Sequence, residues 1–154
     1  MKYQLNHREL ILAQEVIETF DCYRQRFDHQ HESGGILFGR VYADKVIIES
    51  VSVPSGEDKS GRYYFYRNVK KAQKLVNEKW DESSGEVIYL GEWHTHPELI
   101  PKPSLTDRRL LANMMRDTKM DIDFLLMVIV GINNFFVASL DRDGNFIQII
   151  QTNK

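Results

Sequence analysis

Apolar positions along this chain recur in two periods, and the changes between them lay out the elements. Leu10, Ile11, Ala13, Val16, Ile17 and Phe20 return at helical spacing, and Asn6 stands three residues before Glu9, as in a capping box. The pattern predicts a first amphipathic helix from residue 7 to the mid-twenties. Past a polar stretch, Gly34 and Gly35 open two apolar runs, 36–42 and 46–51, separated by Ala43 and Asp44; these predict antiparallel strands joined by a tight turn. Residues 54–62 gather Pro, Ser, Gly and charge and predict a loop, and the aromatic patch at 63–66 is too short to show a period.

Val69, Ala72, Leu75 and Val76 fall on one stripe among lysines and predict a second helix over 68–80. Ser83, Ser84 and Gly85 break it. Residues 87–93 then predict a strand that runs into a segment punctuated by Pro97, Pro101 and Pro103. A third helix is expected over 104–118, then strands over 122–131 and 135–140, and a turn at Asp143 and Gly144 into a last strand over 146–151. About three helices interleaved with strands predict a sheet packed by helices, in the α/β (α+β) class. No repeat, low-complexity tract or linker divides the sequence, so residues 1–154 are expected to form a single domain.

Composition narrows the function classes. With 42% hydrophobic and 27% charged residues, the chain can bury an ordinary core and does not read as disordered. Lys and Arg number 20 against 22 Asp and Glu, a net charge of −2, so neither nucleic acid nor an anionic membrane is expected as the main partner. The lone cysteine, Cys22, excludes an intrachain disulfide framework and any multi-cysteine metal site, and it is expected to pack within the first helix. Charged residues rather than an apolar run follow Met1, so no signal peptide is expected. The strongest apolar run, 124–132, is far shorter than the roughly 20 residues of a membrane-spanning helix. A reducing, cytoplasmic setting is the expectation.

Candidate chemistry lies just past the strand over 87–93, in His94-Thr95-His96-Pro97. Side chains two apart on a strand project to one face, with Cα atoms roughly 6 to 7 Å apart, so the two imidazoles can converge on one ion. Catalytic zinc sites commonly take three protein ligands and a water. Asp107, on the first turn of the helix opened by Ser104-Leu105-Thr106-Asp107, is the candidate third ligand. Two plainer readings stand beside this one. A His-x-His pair arises by chance, and Ser-x-x-Asp is also the signature of a helix N-terminus. The combination, with Pro97 directly after the second histidine and Pro103 directly before the serine, favours the metal site. His29 and His31 are expected to be exposed loop histidines. Glu92 and Glu98 are expected to be bystanders, Glu92 sharing its side of the strand with at most one ligand. Tyr63, Tyr64, Phe65 and Tyr66 are expected to form either a groove wall or a half-buried edge strand.

The set His94-Thr95-His96-Pro97, Ser104 and Asp107 resembles the JAMM motif of JAB/MPN-type zinc metalloproteases. That family also places a glutamate just before a glycine-containing strand, and Glu32-Ser33-Gly34-Gly35-Ile36-Leu37-Phe38-Gly39 is similar to that element. Gly91-Glu92-Trp93 departs from the commoner Gly-Trp-x before the first histidine. The stretch 91–97 resembles bacterial JAB proteins, especially the deconjugases encoded in CBASS anti-phage operons. The resemblance covers nearly the whole chain and implies a JAB/MPN-like mixed sheet. It also implies one zinc per chain held by His94, His96 and Asp107, Glu32 as general base, and Ser104 as stabiliser of the oxyanion. The implied substrate is a ubiquitin-like protein or its conjugate, cut after the C-terminal tail. Two other functions remain: a non-catalytic MPN-type scaffold, and a hydrolase of the same family acting on a sulfur-carrier protein or a short peptide adduct. Scaffold members typically lack some of the ligands and base, and here none is missing.

Overall fold

The computed structural model describes residues 1–152. Its elements are β1 (Lys2–Leu5), β2 (Arg8–Leu12), α1 (Gln14–Tyr23), β3 (Gly34–Val41), β4 (Lys45–Val51), β5 (Lys59–Gly61), β6 (Tyr64–Tyr66), α2 (Val69–Glu82), β7 (Ile88–Thr95), α3 (Leu105–Asp117), β8 (Phe124–Val130), β9 (Phe135–Asp141) and β10 (Phe146–Gln148). Eight strands form one mixed sheet in the order β1-β2-β4-β3-β7-β8-β9-β10, and β5 and β6 form a separate hairpin. Pairing is antiparallel except for β2 with β4 and β7 with β8. The sheet curls until its two ends approach, with Tyr3 bridging to Gln151 and Gln4 N–H donating to the Ile150 carbonyl.

Helices cover both faces of the sheet. Val16 and Phe20 of α1 pack with Leu10, Leu37, Trp93 and Val128 on one face. On the other, Ala72 of α2 and Leu111 and Met115 of α3 pack with Ile36, Leu125, Met127 and Ile129. Strand β8 is therefore buried along its whole length, its alternate residues feeding the two cores, which is why it reads as an unbroken apolar run.

The N-terminus differs from the helix expected there. Asn6 has a φ of 52°, a left-handed conformation that asparagine tolerates, and turns the chain between β1 and β2 instead of capping a helix. Tyr3, Leu5, Leu10 and Leu12 are buried at a period of two, and α1 begins only at Gln14. The aromatic patch at 63–66 forms most of a hairpin arm, β6, paired with β5 inside the expected loop. Cys22 is exposed on α1 rather than packed. No helix among the described residues is long and apolar enough to cross a membrane.

A bulge in β7 sets the phase of the functional strand. Leu37 pairs with Gly91 but Phe38 pairs with Tyr89, so Leu90 is an extra residue. Gly91 sits there at a φ of 147°, and any side chain at this position would run into the Leu126 carbonyl. Because of the extra residue, Tyr89 and Glu92 meet on one face, and His94 and His96 continue that face at the normal period of two.

Candidate active site

The end of β7 delivers His94 and His96 into a groove of about 650 Å³, bounded by α3 and by the aromatic residues of the β5–β6 hairpin. β7 ends at Thr95, Pro97 follows the second histidine, and the next helix returns over that end. Ser104 caps α3: its Oγ accepts from the Asp107 N–H at 3.0 Å, and Asp107 Oδ2 accepts from the Ser104 N–H at 2.8 Å. The capping box and the metal-ligand reading are thus compatible, because the box fixes the Asp107 carboxylate in place. Glu32 enters from the loop before β3, where its N–H donates to the Gly61 carbonyl and Gly34 pairs with His94. A side chain at residue 34 would collide with Phe65 at 2.6 Å and with the Trp93 carbonyl at 2.7 Å, so a glycine there lets the base loop lie against the histidine strand.

The side chains singled out in the sequence converge. His94 Nε2 lies 3.1 Å from His96 Nε2. Asp107 Oδ1 is 3.2 Å from His94 Nε2, and its Oδ2 is 3.2 Å from His96 Nε2. Glu32 Oε1 is 3.5 Å from His96 Nε2 and 4.0 Å from His94 Nε2. Ser104 lines the same groove. His29 and His31 are exposed, and His31 faces Ser60 at the surface.

This donor set fits a metal ion. Zinc binds nitrogen and oxygen at about 2.0 to 2.2 Å, which makes the edge of a tetrahedron of ligands about 3.3 Å long. The separation of the two imidazoles, and that of each imidazole from its nearer Asp107 oxygen, Oδ1 for His94 and Oδ2 for His96, are of that order. Glu32, His94 and His96 also form a cluster whose ligand atoms all lie within 4.8 Å of one another. Glu32 is the more distant carboxylate from both histidines. His96 Nδ1 meets Glu98 Oε1 at 2.9 Å, an arrangement that leaves Nε2 with the lone pair a metal needs.

The electrostatics separate the two carboxylates. Burial pushes the Glu32 carboxyl up to about 8; His96 pulls it down in part and Asp107 adds to the rise. Burial alone would also raise Asp107, but hydrogen bonds from His94 and His96 outweigh it and hold this group well below the usual carboxylate range. Burial would lower His96, yet the hydrogen bond and charge of Asp107, with Glu32 and Glu98, raise it.

Three contributions were not visible in the sequence. Glu98 supports His96 instead of standing by, and its only signal was its place two residues later. Glu92 shares the groove face with both histidines, where Arg67 holds it through paired hydrogen bonds of 2.8 to 3.1 Å and the Tyr89 hydroxyl donates to it at 2.8 Å. Gln25, from the end of α1, hydrogen-bonds Thr95 between the two histidines, and no motif marks it.

Residues 22–142 match the model of the family described as prokaryotic homologs of the JAB domain. The chain is 35% identical over 90% of its length to a Pseudomonas aeruginosa protein named CD-NTase/cGAS isopeptidase, covering 87% of that protein. It is 33% identical over 87% of its length to a protein of the same name from Vibrio cholerae, covering 83% of it. The solution structure of protein DSY2949 from Desulfitobacterium hafniense shares the fold, with a TM-score of 0.62 at 20% identity over 90% of this chain and 88% of that one.

Proposed function

The chain belongs to the family of prokaryotic homologs of the JAB domain, and from that membership we propose that it is a zinc-dependent isopeptidase. It cleaves after the C-terminal tail of a ubiquitin-like protein, in bacterial anti-phage defence, as one cytoplasmic metalloprotease domain over residues 1–154. The names of its relatives support a conjugate of the CD-NTase/cGAS class as substrate. The observation that carries the reading is the meeting of His94, His96 and Asp107, the imidazoles 3.1 Å apart and each 3.2 Å from an Asp107 oxygen, with Glu32 beside them and farther out.

His94, His96 and Asp107 would hold the zinc, which would supply a Lewis acid for the amide carbonyl and a water of lowered pKa. Glu32 takes the proton from the attacking water and passes it to the leaving amine. Its buried setting suits a group that must both accept and release a proton. Ser104 Oγ accepts the Asp107 N–H, which leaves its own O–H free to donate to the carbonyl oxygen under attack. Glu98 keeps His96 oriented. The groove suits an extended chain: β6 pairs only with β5 among the described strands, and its other edge is available for strand addition. A glycine-rich tail meets little steric resistance there. The complete set of ligands and base also argues against a scaffold role.

The test uses linear and lysine-linked fusions of a ubiquitin-like protein, with products read by mass spectrometry. Cleavage directly after the tail, lost on chelation, restored by zinc and unaffected by Cys22→Ser, is expected. Cuts elsewhere, or activity that survives zinc removal, would overturn the reading.

A further inference from the structure

We propose that Gln25 is a positioning residue that clamps the Glu32 loop, the β5–β6 turn and the histidine strand into one unit. The inference rests on the isopeptidase reading for its kinetic consequence, but not for its structural one.

Gln25 is 1% exposed and Thr95, the residue between the two histidines, is fully buried. Each polar group of this pair has a partner, and the direction of each bond is forced. Gln25 Nε2 lies 3.2 Å from the Gln30 carbonyl and 2.9 Å from the Arg62 carbonyl. Both are pure acceptors, so the amide nitrogen must face them and the amide oxygen must face Thr95. Thr95 Oγ1 accepts the Ser33 N–H at 2.9 Å and donates its own proton to Gln25 Oε1 at 2.7 Å. The Thr95 N–H returns to the Ser33 carbonyl at 2.8 Å. Glu32 lies between these ties, with Gln30 and Ser33 on either side and its own N–H on the Gly61 carbonyl.

One buried side chain therefore joins four segments: the end of α1, the loop carrying the candidate base, the turn of the aromatic hairpin, and the strand carrying two candidate ligands. None of its atoms approaches the reacting centre. It acts through the placement of Glu32 relative to His94 and His96, and a displacement of about 1 Å at such a position costs on the order of 10²-fold in rate.

The first readout needs neither metal nor substrate. Amide hydrogen exchange of the metal-free Gln25→Met protein is expected to quicken by about tenfold or more at Glu32 and Ser33. Both amides keep their acceptors in this variant, and β8 amides are expected to stay within about twofold. Unchanged exchange at Glu32 and Ser33 would overturn the clamp. The second readout is kinetic: kcat is expected to fall about 10- to 100-fold, with KM within about threefold and a full zinc equivalent retained. An unchanged kcat, or a loss matched by lost zinc, would overturn the positioning role. If Gln25→Met does not fold, Thr95→Val, which leaves both Gln25 amide contacts, is judged by the Glu32 amide and the same kinetic criteria. Failure of both variants to fold would make the network a folding element and overturn the proposal. A wild-type protein inactive on the fusions would sink the isopeptidase reading alone, because the exchange result stands without it.

Discussion

Glu32 and Glu92 line the same groove, and their partners give them different work. Glu92 meets Arg67 in a paired ion bridge and accepts the Tyr89 hydroxyl, so its charge is matched where it stands. Burial and then Glu92 push the Tyr89 hydroxyl well above its ordinary range, which keeps it a donor. Among the described residues, Glu32 has no arginine or lysine in ion-pair contact. Its neighbours are two imidazoles and the Asp107 carboxylate, and burial pushes it up to about 8. A carboxylate with a fixed cation is structure; a buried one whose proton is finely balanced is available for chemistry. The difference lies in neighbours brought from other segments, not in the residue type.

The contrast can be broken first at the metal. His96→Ala or Asp107→Ala should lose zinc and all detectable hydrolysis, because each removes one of the three proposed ligands. Metal analysis of purified protein checks this; a variant that kept a full zinc equivalent would remove that residue from the ligand set. Glu98→Ala should be milder, costing about 10- to 100-fold in metal affinity by freeing the His96 ring. Competition with a zinc chelator measures it, and unchanged affinity would return Glu98 to the surface.

A third comparison follows from the proton on Glu32. In the metal-free folded protein this group keeps its proton to about pH 8, whereas the unfolded chain releases it near the ordinary 4.5. Between these values the folded state binds more protons, so stability falls as pH rises through that window and is unaffected by this group below it. Glu32→Gln should remove that slope. Relative to wild type it should gain on the order of 2 kcal/mol by pH 8, after allowance for screening by water. Thermal melts at pH 5 and pH 8 read the difference, and parallel slopes would place Glu32 with the matched charges. Glu92→Gln should do the least to catalysis, leaving kcat within about threefold, while costing about 1 to 2 kcal/mol of stability at this partly exposed pair. A large loss of kcat without loss of stability would give Glu92 a role in the reaction.

How much was legible in the sequence follows from how local each feature is. His94 and His96 announce themselves by a spacing of two on a strand, and Asp107 by its place in a helix start, so the cluster could be read before any fold was known. The helices α2 and α3 and the central strands follow their periods for the same reason. The β1–β2 hairpin was hidden because Leu10, Ile11, Ala13 and Val16 satisfy a helical spacing, although the chain uses Leu10 and Leu12 at a period of two. The bulge at Leu90 shifts a strand by one residue, which no pattern of apolar positions records. Arg67 and Gln25 reach the groove strand from 25 and 70 residues away in sequence, and only the tertiary fold makes them neighbours of Glu92 and Thr95.

The central claim is that Glu32 handles the proton while His94, His96 and Asp107 hold the metal. Glu32 also lies close enough to both histidines to form a three-residue cluster with them, so the two ligand sets compete. Zinc content and cleavage rate, measured on the same sample of Glu32→Ala, separate them directly. One zinc per chain and a rate lowered by about 10²- to 10⁴-fold are expected. Loss of the zinc together with the rate would make Glu32 a ligand and contradict it.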